Sequence, residues 1–182
     1  MLTRANKDVD YSKSHIRNSY FNMGENKIYL YKNATPSTVA HELFHKIDND
    51  NSISVSGILD DCIRSDYERL VKKAEKAGQN LEDMLFLKYP EAFETKSRLK
   101  NEYRGISDII HGMSNKTINL GFGHYKGNYW KKPYKLQKET FAQYGRMYFE
   151  ENSNVLNMLQ KVFPDTSSQI SSIVSVIAQF GR

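Results

Sequence analysis

One segment, Thr35-Pro36-Ser37-Thr38-Val39-Ala40-His41-Glu42-Leu43-Phe44-His45-Lys46-Ile47, carries most of the structural information in this sequence. Thr35 suits a helix N-cap, and Pro36 suits the first helical position, where its missing amide hydrogen costs nothing. Val39, Leu43, Phe44 and Ile47 then fall on one apolar stripe of a helix ending near Ile47. Residues four apart on such a helix project from the same side, so His41 and His45 can present two imidazoles to one ion. Glu42 stands beside that ion, placed to take a proton from a bound water and pass it to a leaving amine. Zinc fits the pattern, because it lowers the pKa of its water to roughly 7. In a chain with 5 His a fortuitous match is rare, and a capped helix directly after a strand is the setting this chemistry requires.

Working outward, Lys27 to Lys32 alternates polar and apolar strand-forming residues and reads as the strand that feeds the helix. Residues 1–24 are polar and read as a lead-in, leaving residues 25–182 as one domain. Downstream, Asn49 to Ser56 reads as a loop, and Ile58 to Ala77 has helical periodicity closed by Gly78. Helices are expected at Leu81–Leu87 and Pro90–Tyr103, with a helical turn or two at Ile106–His111. Thr117–Leu120 reads as a short strand leading into Gly121-Phe122-Gly123-His124. A long helix is expected over Pro133–Glu151, followed by helices at Val155–Val162 and Ser167–Ala178. The sum is an α+β fold, mostly helical, with a small β-sheet.

At 182 residues the chain is long enough for one buried core, which 12 Tyr and 9 Phe can fill. No run of eighteen apolar residues occurs, so a membrane span is not expected. The polar opening lacks the apolar centre of a secretory leader, and the single Cys62 excludes an internal disulfide framework. An intracellular, cytoplasmic site is the expectation. The net charge of +5 favours acidic partners without naming one, and Lys72-Lys73 and Lys131-Lys132 read as solvated faces. With no nucleic-acid signature in the chain, a nucleic-acid partner is not expected.

Two histidines do not complete a metal site, and a third protein ligand is required. Downstream acidic residues, His111, His124 and Cys62 are the candidates. Glu139 stands out because it lies on a predicted helix beside the apolar pair Phe141-Ala142, where an inward carboxylate would be buried without a partner. A surface glutamate is the alternative. Asp48, three residues after His45, can either accept a hydrogen bond from a ligand imidazole or end the helix at the surface. His15 reads as exposed, His111 as a helix-end histidine and Cys62 as a small buried hydrophobe. Tyr129 and Trp130 read as packing a loop near the site.

Taken together, His41-Glu42-Leu43-x-His45-x-x-Asp48 and the distant Glu139-x-Phe141-Ala142 resemble the zincins grouped with anthrax lethal factor. A closer resemblance is to the metallopeptidase-like domain of phage minor head, or head morphogenesis, proteins. Its run is similar to Ser107-Asp108-Ile109-Ile110, Gly121-Phe122-Gly123-His124, Tyr129-Trp130, Lys138-Glu139-Thr140-Phe141-Ala142 and Val162-Phe163-Pro164. The resemblance spans Lys27 to Pro164 and implies a gluzincin-type hydrolase with Glu139 as the third zinc ligand. It also implies an oxyanion stabiliser shortly before Glu139, for which Tyr134 and His124 are the candidates. One departure stands out: Phe44 occupies a position where those families usually carry glycine, which lets another backbone pack close to the motif helix.

Three functions follow as expectations. The first is a zinc peptidase or peptidase-like domain of a phage or prophage head protein, in the host cytoplasm or associated with the virion. Its partners would be a peptide or protein substrate and other head proteins. The second is a non-catalytic module that keeps zinc for stability in head assembly. The third is a toxin protease like lethal factor.

Overall fold

A computed structural model describes residues 10–16 and 18–180 of the chain. It is a mixed α+β structure, mostly helical, with small sheets. Thr35 caps the motif helix as expected: its side chain accepts from the Thr38 amide, Pro36 stands in the first turn, and the helix (α1) spans Pro36–Asn51. It runs one turn beyond Ile47 and ends at Ser52, whose backbone is left-handed.

Upstream of α1 lies a three-stranded sheet built from β1 (Tyr11–Lys13), β2 (Tyr20–Asn22) and β3 (Lys27–Leu30). The order is β1-β3-β2, with β1 parallel and β2 antiparallel to the central β3. Residues 1–9 of the expected lead-in lie outside the described residues. From residue 11, however, that stretch is part of the fold. Tyr11, Ser12 and Lys13 pair with Ile28, Tyr29 and Leu30, and Ser14 donates its amide to the Leu30 carbonyl at 2.8 Å. Strands this short and polar leave little hydrophobic alternation to read, and their pairing is not local.

Beyond α1 follow α2 (Asp60–Lys76), α3 (Leu81–Lys88), α4 (Arg104–Met113), α5 (Lys135–Tyr148), α6 (Ser153–Val162) and α7 (Pro164–Phe180). Six of the expected helical segments are thus present, with shifted ends. Pro90–Tyr103 is a correction. It folds as a turn at Pro90–Ala92, a hairpin of β4 (Phe93–Thr95) and β5 (Arg98–Leu99), and a second turn at Asn101–Tyr103. The hairpin places Phe93 opposite Leu99, both buried, while the polar tip between them is exposed. Thr117–Leu120 is not a strand; Leu120 instead gives its carbonyl to the Leu99 amide at 3.0 Å. That bond joins distant segments, which local periodicity does not report.

The core is one continuous cluster that includes Phe44, Leu59, Ile106, Ile110, Phe141, Met147 and Phe163. α1 and α5 form its centre, and α4 packs across α5. Gly145 of α5 lies directly against Phe44 of α1: a Cβ added there would come within 2.3 Å of the ring. The close helix approach expected of a glycine on the motif helix is therefore achieved with the roles exchanged. Phe44 supplies the bulk and Gly145 the space. No helix among the described residues is long and apolar enough to cross a membrane.

Candidate metal centre

His41 and His45 lie on one side of α1, and Glu139 faces them from the first turns of α5. The Nε2 atoms of both imidazoles are 3.7 Å from Oε2 of Glu139. One ligand atom from each residue lies within 4.8 Å of the others, a spacing able to hold a metal ion. Glu139 is 2 % exposed, and its Oε2 has no hydrogen-bond partner. A buried carboxylate oxygen left without a donor is costly unless a cation meets it. Two imidazoles and a carboxylate are the donor set that suits zinc.

The other oxygen of Glu139 is well provided for. Oε1 accepts the Tyr129 hydroxyl and pairs with Lys135 Nζ at 2.9 Å. Burial alone would raise this carboxyl. The neighbouring His45, followed by His41 and Lys135, instead holds it well below the ordinary carboxylate range. His41 is driven the other way: burial, followed by the charges of His45 and Arg146, keeps its imidazole neutral, the form that ligates a metal. Its Nδ1 is buried without a partner.

Glu42 sits beside these three side chains and is buried. Its Oε2 accepts the Phe21 amide of β2 at 2.9 Å, so the sheet edge holds the carboxylate in place. Burial raises its pKa against the lowering effects of His45 and Arg146.

A third wall comes from the turn Gly121-Phe122-Gly123-His124. Ser107 of α4 donates its hydroxyl to the Phe122 carbonyl at 2.7 Å and accepts the Phe122 amide at 3.1 Å. Gly123 passes so close to His111 that a Cβ there would lie 2.6 Å from its ring. Asp108 Oδ1 then pairs with His124 Nδ1 at 2.9 Å, and Oδ2 accepts Gln143 Nε2 of α5 at 2.8 Å. Burial lowers the His124 pKa, but the Asp108 hydrogen bond and charge outweigh it, so the net shift is upward. The His124 ring stacks face to face on Tyr129, with centroids 3.9 Å apart. Burial and then the Glu139 charge push the Tyr129 phenol up, so it remains a hydrogen-bond donor.

Two cavities open on either side of the motif. The larger, about 540 Å³, is bordered by Arg104, Asp108, Gln143 and Arg146. The smaller, about 290 Å³, is bordered by Tyr20, His45, Tyr129, Lys135 and Glu139. Ser19, His41, Glu42 and His124 border both, so the two form one cleft across the candidate centre.

Of the residues singled out from sequence, His41, Glu42, His45, Glu139 and His124 are brought together. Tyr134 is not. It is 45 % exposed, takes a left-handed backbone just before α5, and borders neither cavity. Tyr129, ten residues before Glu139, borders the smaller cavity instead and donates its hydroxyl to Glu139 Oε1. Asp48 does not serve a ligand imidazole; its Oδ1 accepts the Ser54 amide at 2.7 Å and closes the turn after α1. His111 stands in the last turn of α4, as expected, and its Nδ1 accepts from Trp130 Nε1 at 3.1 Å. Cys62 is partly buried, with Sγ 3.1 Å from the Leu59 carbonyl, and belongs to no candidate ligand group among the described residues.

Lys135, Gln143 and Arg146 were missed. Their spacing from Glu139, four residues before, four after and seven after, puts all of them on its face of α5. That arithmetic was the available signal. No family model, curated protein or solved structure matches the chain.

Proposed function

We propose that this chain is a zincin-like, zinc-dependent metallopeptidase domain of the gluzincin type, with His41, His45 and Glu139 as protein ligands. The observation that carries this reading is the convergence of both Nε2 atoms on a buried carboxylate oxygen that has no other partner. When bound there, zinc supplies a Lewis acid and lowers the pKa of water to about 7.

The remaining steps belong to the chain. Glu42 has Oε2 held by the Phe21 amide, which leaves Oε1 to take a proton from the attacking water and deliver it to the leaving amine. Burial raises its proton affinity, which favours that uptake. His124, held by Asp108 through Nδ1 and bordering the cleft, is suited when protonated to donate from Nε2 to the carbonyl oxygen as it gains charge, while Tyr129 gives its one O–H to Glu139. β2 is an edge strand of its sheet, and Ser19, Tyr20 and Phe21 border the cleft. An extended peptide laid along that edge would pass Glu42. The resemblance to head morphogenesis domains supports a substrate among phage head proteins.

A second reading is a zinc-stabilised module of a head assembly that does not turn over. It is favoured by Glu42 being only 6 % exposed and already hydrogen-bonded to backbone. Glu42→Gln separates the two. As a peptidase, the zinc-loaded variant loses about a hundredfold or more of its cleavage rate while retaining its metal. Absence of cleavage by wild type across a broad peptide library would leave the second reading.

A further inference from the structure

The larger cavity is bordered by a buried arginine that forms no direct ion pair among the described residues. Arg146 is 5 % exposed on α5, and its one hydrogen bond among the described residues runs from Nε to Gln143 Oε1 at 3.0 Å. Arg104 borders the same cavity and also forms no ion pair among the described residues. Burial, followed by like charge from Arg104, lowers the Arg146 pKa to about 10. The two carboxylates bordering this cavity act on Arg146 only at a distance. Asp108 serves His124 and Gln143, and Glu42 Oε2 holds the Phe21 amide. The remaining N–H groups of Arg146 open to the cavity, where they are available to an anion.

We infer that Arg146 and Arg104 form a carboxylate-binding subsite for the substrate peptide, in the same cavity as His41 and Glu42. This rests on the peptidase reading for the nature of the ligand. A planar guanidinium pairs with a carboxylate through two parallel hydrogen bonds. Asp108 and Glu42 across the cavity balance the two arginines, so a singly charged carboxylate meets less repulsion there than a dianionic phosphate. A cavity of about 540 Å³ accommodates a side chain together with its backbone. The carboxylate comes either from an Asp or Glu side chain beside the scissile bond or from the chain terminus.

Peptide binding to zinc-loaded protein tests this, read by fluorescence of Trp130, the one tryptophan, whose ring meets His124 at 5.4 Å. The probes are acetyl-Ala-Glu-Ala-amide against acetyl-Ala-Gln-Ala-amide, and acetyl-Ala-Ala-Ala as free acid against amide. Wild type should bind one acid about tenfold to a hundredfold more tightly than its neutral partner. Which pair shows the preference identifies the source of the carboxylate. Arg146→Met should abolish the preference and Arg146→Lys retain part of it, with melting temperature unchanged or raised in Arg146→Met. Arg104→Met should weaken the preference and serves as the second variant should Arg146→Met not fold. No preference in either pair, or a preference that survives both Met variants, overturns the subsite. Absence of cleavage with the preference intact counts against the peptidase reading alone.

Discussion

The ring of Phe44 fills the space over Gly145 that a side chain would otherwise take, and this contact fixes how closely α1 approaches α5. Phe44 is one residue before His45, and Gly145 lies six residues after Glu139 on the opposing helix. Helix spacing and ligand spacing are therefore set by the same pair. Gly145→Ala should destabilise the fold by about 1–3 kcal/mol through overpacking and weaken zinc binding with it. Phe44→Leu in the same chain should recover part of both losses. Urea unfolding of the two single variants and the double variant measures this coupling; strict additivity would contradict it.

Tyr129 and Tyr134 make opposite predictions. Tyr129→Phe removes the hydroxyl that Glu139 Oε1 accepts, and a lost partner of a metal ligand costs about tenfold to a hundredfold in affinity. Tyr134→Phe, at an exposed ring, should leave affinity unchanged. Competition against a chromogenic chelator measures both.

The His124–Asp108 pair carries a pH dependence of defined sign. The folded His124 pKa is raised, so the folded chain binds this proton more tightly than the unfolded chain. The resulting stability is fully present below about pH 6.5, the unfolded value, and is lost as pH rises through the folded pKa. Asp108→Asn should lower the His124 pKa in an NMR titration. The stability deficit of Asp108→Asn relative to wild type should also shrink across that same interval. A deficit that grows with pH there would contradict the assignment.

Asp48→Ala should cost about 1–3 kcal/mol, because the buried Ser54 amide loses its acceptor. Zinc affinity should be unaffected, which separates a turn-closing aspartate from one that orients an imidazole.

The motif helix was legible because its cap, its proline and its four-residue histidine spacing are all local. Glu139 read equally well on spacing alone as an inward carboxylate or a surface glutamate; the resemblance favoured the first, and the fold buries it facing the two histidines. Tyr134, one of two candidates for the oxyanion stabiliser, lies outside the cleft because counting back from Glu139 assumes a continuous path. The chain instead turns through Tyr129–Lys131 and presents Tyr129 inward. Arg146 was passed over because arginine is ordinarily a surface residue, and its burial depends on packing against α1 and α4. β1 and β2 were missed because three-residue polar strands acquire their identity only from the partner strand.

Direct measurement of zinc bound to untagged wild-type protein and to Glu139→Ala, purified without chelator, tests the central claim. Near-stoichiometric zinc in wild type and a loss of at least about a hundredfold in affinity in the variant are expected from the ligand geometry. Wild type devoid of zinc even after incubation with the metal, or a variant that binds it equally well, would contradict the three-residue site.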